Sequence, residues 1–197
     1  EVLVVDGGSG DDTRALAEPL ADRVLTGSHG RAGQMNHGAR MASGDVLWFL
    51  HADTRVGPEQ FRLLPVVCHG GRRIWGRFDV RLDAGGAAFR MIATGMNLRS
   101  RWSGIATGDQ AMFVTRRLFE AVGGFPEWPL MEDVALSRAL RDRVFPVCFR
   151  ERVTTSARRW QDNGVWRTVW LMWRLRLAFY MGADPEVLQR RYNGGSA

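Results

Sequence analysis

Residues 46–53 have the sequence Val-Leu-Trp-Phe-Leu-His-Ala-Asp, an apolar run that ends directly in polar side chains. Residues 2–9, Val-Leu-Val-Val-Asp-Gly-Gly-Ser, repeat that arrangement near the start of the chain. Short apolar runs bounded by turn residues are typical of buried strands. In open α/β sheets, ligands bind outside the carboxyl ends of the strands. We therefore expect the polar residues after both runs to line one crevice.

Strand-like and helix-like segments alternate through the first half of the chain, which is the pattern of an α/β fold. Strands are predicted over 1–5, 23–25, 45–50, 73–82 and 111–114, with one or two more over 144–156. The strand at 73–82 is expected to be half-exposed, because apolar residues alternate along it. Helices are predicted from 12, over 31–42, from 58, over 86–99, 117–122, 132–143 and 164–181, and after 185. We expect one domain over 1–197, with 162–192 as its C-terminal helical segment.

All 27 basic residues are arginine, and the net charge is +6. A bias in genomic base composition is the simplest explanation for the absence of lysine. Arginine also binds phosphate and carboxylate through two parallel hydrogen bonds, which lysine does not. The charge therefore suits an anionic small molecule, a lipid surface or RNA, without choosing among them. No apolar run reaches the roughly 18 uncharged residues of a membrane-spanning helix.

The residues after the two opening strands are candidates for contacts with a nucleotide and a metal ion. Asp6 can accept hydrogen bonds from a base or ribose, while Gly7 admits close backbone approach. A tight turn capped by Asp6 explains the same residues equally well. Asp53 suits Mg²⁺ or Mn²⁺, which commonly takes one or two protein carboxylates plus substrate phosphates and water. His51 is a candidate second ligand or orienting partner, and a capped turn is the alternative.

Two further segments carry amides and small residues. Residues 31–38, Arg-Ala-Gly-Gln-Met-Asn-His-Gly, open a predicted helix, where backbone amides favour a diphosphate. Arg31 would then contact a phosphate or the base, and an ordinary helix start is the alternative. Asp109 and Gln110 precede a predicted strand and suit the recognition of an acceptor. A plain turn explains them equally well.

Charged residues also occur where two predicted helices begin. Carboxylates such as Glu132 and Asp133 are favoured at a helix N-terminus by its dipole, whatever their function. The functional interpretation makes Asp133 a general base that takes a proton from a hydroxyl nucleophile. Arg158 and Arg159 suit a leaving diphosphate, and Trp160 suits stacking on a ring. A solvated basic turn is the alternative for these three.

The C-terminal helix has aromatic residues on one side and arginines elsewhere. Such a helix suits a membrane interface, and it equally suits packing over a sheet. Its apolar side consists of Trp166, Val169, Trp170, Trp173, Leu177 and Tyr180.

Together these motifs resemble the family 2 glycosyltransferases. The resemblance implies an α/β, GT-A (Rossmann-like) fold with a mixed, mostly parallel central sheet, flanking helices and a helical C-terminal end. Within the family, the chain is most similar to the bacterial subgroup of arsenosugar-biosynthesis glycosyltransferases. The resemblance rests on the joint order and spacing of residues 4–9, 31–36, 49–54, 108–110, 129–133 and 155–160.

The resemblance implies a role for each matching residue. Asp133 corresponds to the catalytic base, Asp53 to a metal ligand and Asp6 to a contact of the nucleotide base. The family's metal motif is Asp-x-Asp and its late motif is Gln-x-x-Arg-Trp, so His51 and the missing Gln are departures. Donor contacts are predicted at Asp6, Gly7, Arg31, Asn36 and Ala52. Acceptor or diphosphate contacts are predicted at Asp109, Gln110, Glu132, Arg158, Arg159 and Trp160.

The family's first strand, with its Pro-x-x-Asn-Glu nucleotide loop, is expected before residue 1. Without that strand we expect weaker donor binding and a compromised sheet.

We therefore expect a cytoplasmic, inverting glycosyltransferase that uses Mg²⁺ or Mn²⁺. It would move a sugar from a nucleotide-diphosphate sugar, most simply a UDP-sugar, to a hydroxyl of a small-molecule acceptor. One alternative is a polyprenyl-phosphate glycosyltransferase at the inner face of the membrane. Another is a non-catalytic nucleotide- or RNA-binding module, although we expect no nucleic-acid partner.

Overall fold

The computed structural model describes residues 1–27, 30–68 and 72–194, without the side chains of residues 66–68. Its strands are β1 (Leu3–Asp6), β2 (Arg23–Thr26), β3 (Val46–Trp48), β4 (Thr54–Arg55), β5 (Trp75–Leu82), β6 (Phe113–Thr115) and β7 (Val147–Thr155). Its α-helices are α1 (Thr13–Ala17), α2 (Arg31–Met41), α3 (Pro58–Cys68), α4 (Ala87–Ser103), α5 (Arg116–Ala121), α6 (Glu132–Arg141), α7 (Arg158–Asn163), α8 (Val165–Tyr180) and α9 (Pro185–Gly194). Two short 3₁₀ helices lie at Glu18–Leu20 and Gly108–Gln110.

The described strands form two sheets. β1 and β2 pair in parallel, and the other five strands have the order β3-β6-β5-β7-β4. The predicted mixed sheet flanked by helices is confirmed. The expectation that it is mostly parallel is wrong, because only β5 and β7 are parallel within the larger sheet. β6 runs against both of its neighbours and β4 runs against β7.

β5 is the middle strand of the larger sheet, and it is buried rather than half-exposed as predicted. The alternation of its sequence is misleading, because Arg77 is fully buried. Arg77 forms an ion pair with Asp79, and Arg101 contacts the same carboxylate at 3.0 Å. A charged residue can therefore lie inside this sheet because its charge is compensated.

The core occupies both faces of the larger sheet. On one face, α2, α5 and α6 cover an apolar cluster that includes Leu47, Trp75 and Leu136. On the other face, Phe78 stacks on Phe149 with ring centroids 5.2 Å apart.

The C-terminal helices pack beside the start of α6. Leu175 of α8 and Leu188 of α9 lie in one buried cluster with Ile105 and Val134. This packing places α8 and α9 next to the segment that carries Glu132 and Asp133. Within the described residues, no helix is long and apolar enough to cross a membrane.

Candidate active site

The Glu132–Asp133 pair begins α6, as the sequence predicts. The residue before it, Met131, has a left-handed backbone with φ of 67°. This conformation costs a non-glycine residue free energy and is concentrated at functional sites. The Asp133 carboxylate accepts hydrogen bonds from the backbone N–H of Gly108 at 2.8 Å and of Val134 at 2.7 Å. The two amides fix the orientation of the carboxylate.

Glu132 is the most deeply buried carboxylate of the site, with 1% of its side chain exposed. Its Oε1 atom lies 3.0 Å from Nη2 of Arg31, while its Oε2 atom is buried without a hydrogen-bond partner. Burial and the adjacent Asp133 charge raise the pKa of Glu132 to about 7, although Arg31 opposes the shift. Arg31 remains half-exposed, so its guanidinium group links the interior to the open side of the site.

His51 and Asp109 form a second pair in the same region. Nδ1 of His51 lies 3.4 Å from Oδ1 of Asp109. Burial alone would lower the pKa of His51, but the interaction with Asp109 raises it above the ordinary value. The other ring nitrogen, Nε2, lies 2.2 Å from where a Cβ atom of Gly108 would be. His51 therefore faces Asp109 through Nδ1 and packs against Gly108 at Nε2, an arrangement that orients Asp109, and its role as a metal ligand stays a prediction.

The last helix contributes a tyrosine that the sequence analysis did not single out. Tyr192 of α9 stacks under the Arg159 guanidinium, 3.5 Å from the ring centroid. Burial raises the pKa of Tyr192, and the charges of Arg31, Asp109 and Glu132 also act on its hydroxyl. Through Tyr192 of α9, Arg159 is therefore connected to the carboxylates of Asp109 and Glu132.

The turn after β1 is held by Asp6. Its carboxylate accepts hydrogen bonds from the backbone N–H groups of Gly8 and Ser9, and from the Ser9 hydroxyl at 2.5 Å. The Ser9 hydroxyl contributes most to lowering the pKa of Asp6. Gly7 is required by the close approach of Gln34, whose Nε2 lies 2.1 Å from an ideal Cβ position at Gly7. Since Gln34 and Arg31 share the first turn of α2, this turn connects β1 to the Arg31–Glu132 pair.

Asp53 and Ala52 lie in the exposed turn after β3, which is closed by a hydrogen bond from Thr54 N–H to the His51 carbonyl. The Asp53 carboxylate makes no hydrogen bond or ion pair with the residues that the structure describes. An available carboxylate fits Mg²⁺ or Mn²⁺, which accepts oxygen ligands from substrate as well as protein. Among the described residues, no three His, Cys, Asp or Glu side chains are grouped to hold a metal on their own.

A comparison with known proteins identifies the family. The family model described as Glycosyl transferase family 2 matches residues 1–119. The chain belongs to glycosyl transferase family 2. The match covers β1 to β6 and therefore includes Asp6, Arg31, His51, Asp53 and Asp109.

Named relatives in the family are glycosyltransferases. An uncharacterized glycosyltransferase of Mycobacterium tuberculosis is 48% identical over 64 residues, which are 30% of this chain and 24% of the relative. The beta-monoglucosyldiacylglycerol synthase of a Synechocystis strain is 25% identical over 194 residues, which are 84% of this chain and 40% of the synthase.

Solved structures confirm the GT-A fold. Staphylococcus aureus TarS, residues 1–349 with UDP, has a TM-score of 0.61 at 19% identity over 79% of this chain and 51% of its own. The mannosyltransferase PcManGT of Pyrobaculum calidifontis, with GDP-Man and Mn²⁺, has a TM-score of 0.60 at 18% identity, covering 100% of this chain and 59% of its own. The chain thus spans about half the length of these structures and less of the curated relatives.

Two amides predicted to contact substrates have structural roles in this family 2 chain. Asn36 is buried, and its side chain both donates to and accepts from the backbone of Phe125, at 2.8 and 3.0 Å. Gln110 is fully buried and donates to the Ser100 hydroxyl at 3.0 Å. Since both amides are occupied inside the protein, the predicted donor contact of Asn36 and acceptor contact of Gln110 are corrected.

The three residues of the late basic motif, 158–160, differ in their surroundings. Trp160 packs against the cluster of Leu82, Ile92 and Ala157, so the prediction that it stacks on a substrate ring is corrected. Arg158 is exposed, and its side chain has no partner among the described residues. Of the three residues, Arg159 is connected to the site.

Tyr192, Arg99 and Arg176 were not predicted as site residues. Arg99 interacts electrostatically with Asp133, and Arg176 does so with Asp109. Single arginines do not stand out in a chain that has 27 of them, whereas Tyr192 is one of only two tyrosines. An open cavity of about 550 Å³ lies at the start of α2, and its lining includes Gly30, Gly33, Trp128 and Gln189.

Proposed function

We propose that this chain is an inverting glycosyltransferase, a hexosyltransferase that moves a sugar from a nucleotide-diphosphate sugar to a hydroxyl of a small-molecule acceptor. The observation that carries the proposal is the Asp133 carboxylate, oriented by two backbone amides beside Arg31–Glu132 and His51–Asp109. Membership of glycosyl transferase family 2 supports it. Within that family, the motif order favours the arsenosugar-biosynthesis subgroup.

Asp133 acts as the general base. It removes the proton of the acceptor hydroxyl as the oxygen attacks the anomeric carbon of the donor from the face opposite the diphosphate. The bond between the anomeric carbon and the diphosphate oxygen breaks, and the nucleoside diphosphate leaves with the bonding electron pair. One displacement of this kind inverts the anomeric centre.

The donor lies on the side of the site formed by β1, the first turn of α2 and the turn after β3. Asp6, Gly7 and Ala52 would contact the donor there, and Arg31 supplies a half-exposed guanidinium for phosphate oxygens. Asp53 would hold Mg²⁺ or Mn²⁺ together with donor phosphates. The ion would stabilise the negative charge that develops on the departing diphosphate.

A uridine nucleotide is the donor that we favour. TarS has been solved with UDP, while PcManGT has been solved with GDP-Man. Thermal shift measurements with UDP-sugars and GDP-sugars, each with and without Mn²⁺, distinguish the two, because a bound ligand raises apparent stability by mass action. A larger shift with GDP-mannose than with UDP-sugars would overturn this choice.

Asp133→Asn tests the catalytic role. The amide keeps the shape of the side chain but does not accept the proton, so we expect transfer to fall by at least about 100-fold. Calorimetry should show metal-dependent UDP binding within about twofold of wild type, since Asp133 is assigned to the acceptor. Asp142→Asn, at the exposed end of the same helix, is the matched control. Unchanged transfer in Asp133→Asn would remove Asp133 from this role.

A second candidate function, transfer to a lipid-linked acceptor at the inner face of the membrane, is supported by the exposed face of α8. Trp166, Trp170, Trp173 and Leu177 are each more than 60% exposed, so they do not pack over the sheet. Exposed aromatics bordered by arginines are typical of interfacial helices. The printed function of the Synechocystis relative also concerns a lipid, diacylglycerol.

Sedimentation with phosphatidylglycerol vesicles tests the membrane contact. We expect wild type to sediment with the vesicles and a double variant, Trp170→Ser with Trp173→Ser, to remain in the supernatant. Leu16→Ser is the control, because Leu16 is similarly exposed but belongs to α1. Equal sedimentation of wild type and the double variant would exclude α8 as the contact.

A further inference from the structure

Arg99 of α4 has a guanidinium group that finds no partner among the described residues. Its Nε and Nη2 atoms are buried and donate no hydrogen bond. Burial and the neighbouring charge of Arg176 lower the pKa of Arg99 to about 10, so that it remains a cation near neutral pH. A buried cation without a hydrogen-bonded counter-charge is costly. A bound anion would supply the acceptors that these nitrogens lack.

Arg176 of α8 is a second positive charge within electrostatic reach of Arg99. It makes no hydrogen bond or salt bridge with the described part of the chain. Its charge acts on both Arg99 and Asp109. Two neighbouring guanidinium groups repel each other unless an anion lies between them.

Arg31 and the two arginines differ in their pairing. Asp133 interacts electrostatically with both Arg31 and Arg99. Arg31 forms an ion pair with Glu132, whereas the side chains of Arg99 and Arg176 have no hydrogen-bond or ion-pair partner among the described residues. These two guanidinium groups are therefore available to a substrate other than the one that Arg31 contacts.

We propose that Arg99 and Arg176 bind a phosphate group of the acceptor whose hydroxyl approaches Asp133. This inference rests on the proposed function, since it assigns Asp133 to the acceptor and α2 to the donor. A phosphate carries close to two negative charges near neutral pH, which matches two arginines. Arginine forks also bind phosphate oxygens through paired hydrogen bonds.

Calorimetric titration of inorganic phosphate into the UDP- and Mg²⁺-saturated protein tests the proposal. We expect phosphate to bind alongside UDP. We expect Arg99→Gln and Arg176→Gln each to weaken phosphate binding by about tenfold or more, the effect of losing hydrogen bonds to a charged group. Both variants should retain the wild-type affinity for UDP within about twofold. Arg174→Gln, two residues from Arg176 and exposed, should leave both affinities unchanged.

Three results would overturn the inference: no phosphate binding, displacement of phosphate by UDP, or weaker UDP binding in the Arg99 and Arg176 variants. The last two would assign the arginines to the donor diphosphate. If wild type binds phosphate but not UDP, the proposed donor chemistry fails while the phosphate site stands. If it binds UDP but not phosphate, this inference fails alone.

Thermal unfolding without ligand separates a binding role from a structural one. Arg99→Met removes an unpaired buried charge and keeps most of the side-chain volume. We expect its Tm to rise by a few degrees while phosphate binding is lost. A lower Tm together with wild-type phosphate binding would show that Arg99 supports the fold instead.

The phosphate can belong to a soluble ester or to a lipid headgroup. Vesicles of phosphatidylcholine with and without phosphatidic acid distinguish these sources. Binding to the phosphatidic acid vesicles that is lost in Arg99→Gln identifies a lipid phosphate. Binding of inorganic phosphate without such vesicle binding identifies a soluble phosphate ester.

Discussion

At the scale of single residues, Glu132 is the group whose chemistry depends most on its surroundings. It is buried beside Asp133, and one of its carboxylate oxygens has no partner among the described residues. Its pKa of about 7 lies well above the ordinary value of 4.5, mainly because burial disfavours the charged form. Arg31 offsets only part of that cost, since its own side chain is half-exposed.

The raised pKa makes a prediction about stability and pH. The folded chain holds the Glu132 proton more tightly than the unfolded chain does. The stability contributed by the protonated group is therefore fully present below pH 4.5 and is lost as the pH rises through 7. Glu132→Gln stays neutral throughout, so we expect it to be more stable than wild type above pH 7 by about 1–3 kcal/mol.

Chemical denaturation across this pH range measures the effect. Loss of the Arg31 partner costs little in the variant, because a half-exposed ion pair contributes modestly. Glu120→Gln in α5 is the control, since Glu120 is exposed and should show the wild-type dependence. A Glu132→Gln variant that is less stable than wild type above pH 7 would contradict this account.

Residue by residue, the sequence predicted charged groups of the site better than amides. Arg31, Asp109, Glu132 and Asp133 come together as one group in the structure. Asn36 and Gln110 looked equally functional in their motifs, yet they bond to the protein's own backbone and hydroxyl groups. An amide side chain can either bind a substrate or satisfy polar groups of the protein itself. The partner that decides between these two roles is distant in sequence.

At the scale of elements, β5 and β7 join the two halves of the chain in the larger sheet. Gly76 in β5 permits their close contact. An ideal Cβ atom there would lie 2.2 Å from the carbonyl oxygen of Val147 and 2.6 Å from the Phe113 ring. The carbonyl belongs to the neighbouring strand and cannot move without breaking the parallel pairing.

Gly76→Ala is therefore expected to destabilise the fold by about 1–3 kcal/mol, the usual range for overpacking a core. Gly95→Ala in α4 is the matched substitution, because nothing lies within 4 Å of its Cβ position. It should stabilise the protein by about 0.5–1 kcal/mol, as alanine is the better helix former. Denaturant unfolding of both variants tests this, and equal stabilities would refute the close packing of β5 on β7.

At the element level, periodicity located nearly all the strands and helices, but it did not predict their pairing. Residues 73–82 alternate like a half-exposed strand, and the structure buries them in the middle of the sheet, where the charge of Arg77 is compensated by Asp79. The stripe of tryptophans on α8 left two interpretations open. The exposure of Trp166, Trp170 and Trp173 favours the membrane interface over packing on the sheet.

At the scale of the whole molecule, the site is assembled from segments that span most of the chain. Tyr192 of α9 interacts electrostatically with Arg31 at the start of α2, and Arg176 of α8 does so with Arg99 of α4. Contacts between residues so far apart follow from the packing of α8 and α9 through Leu175 and Leu188, which no local pattern reveals. We propose that residues 162–192 belong to the same domain as the rest of the chain.

We propose that a nucleotide diphosphate binds beside Asp133 through a divalent cation at Asp53. Calorimetric titration of UDP into wild type and Asp53→Asn, each with and without Mn²⁺, tests this binding mode. We expect UDP to bind wild type only with Mn²⁺, and we expect Asp53→Asn to weaken this binding by about tenfold or more, the effect of losing one charged ligand. UDP binding that is independent of Mn²⁺, or unchanged in Asp53→Asn, would contradict it.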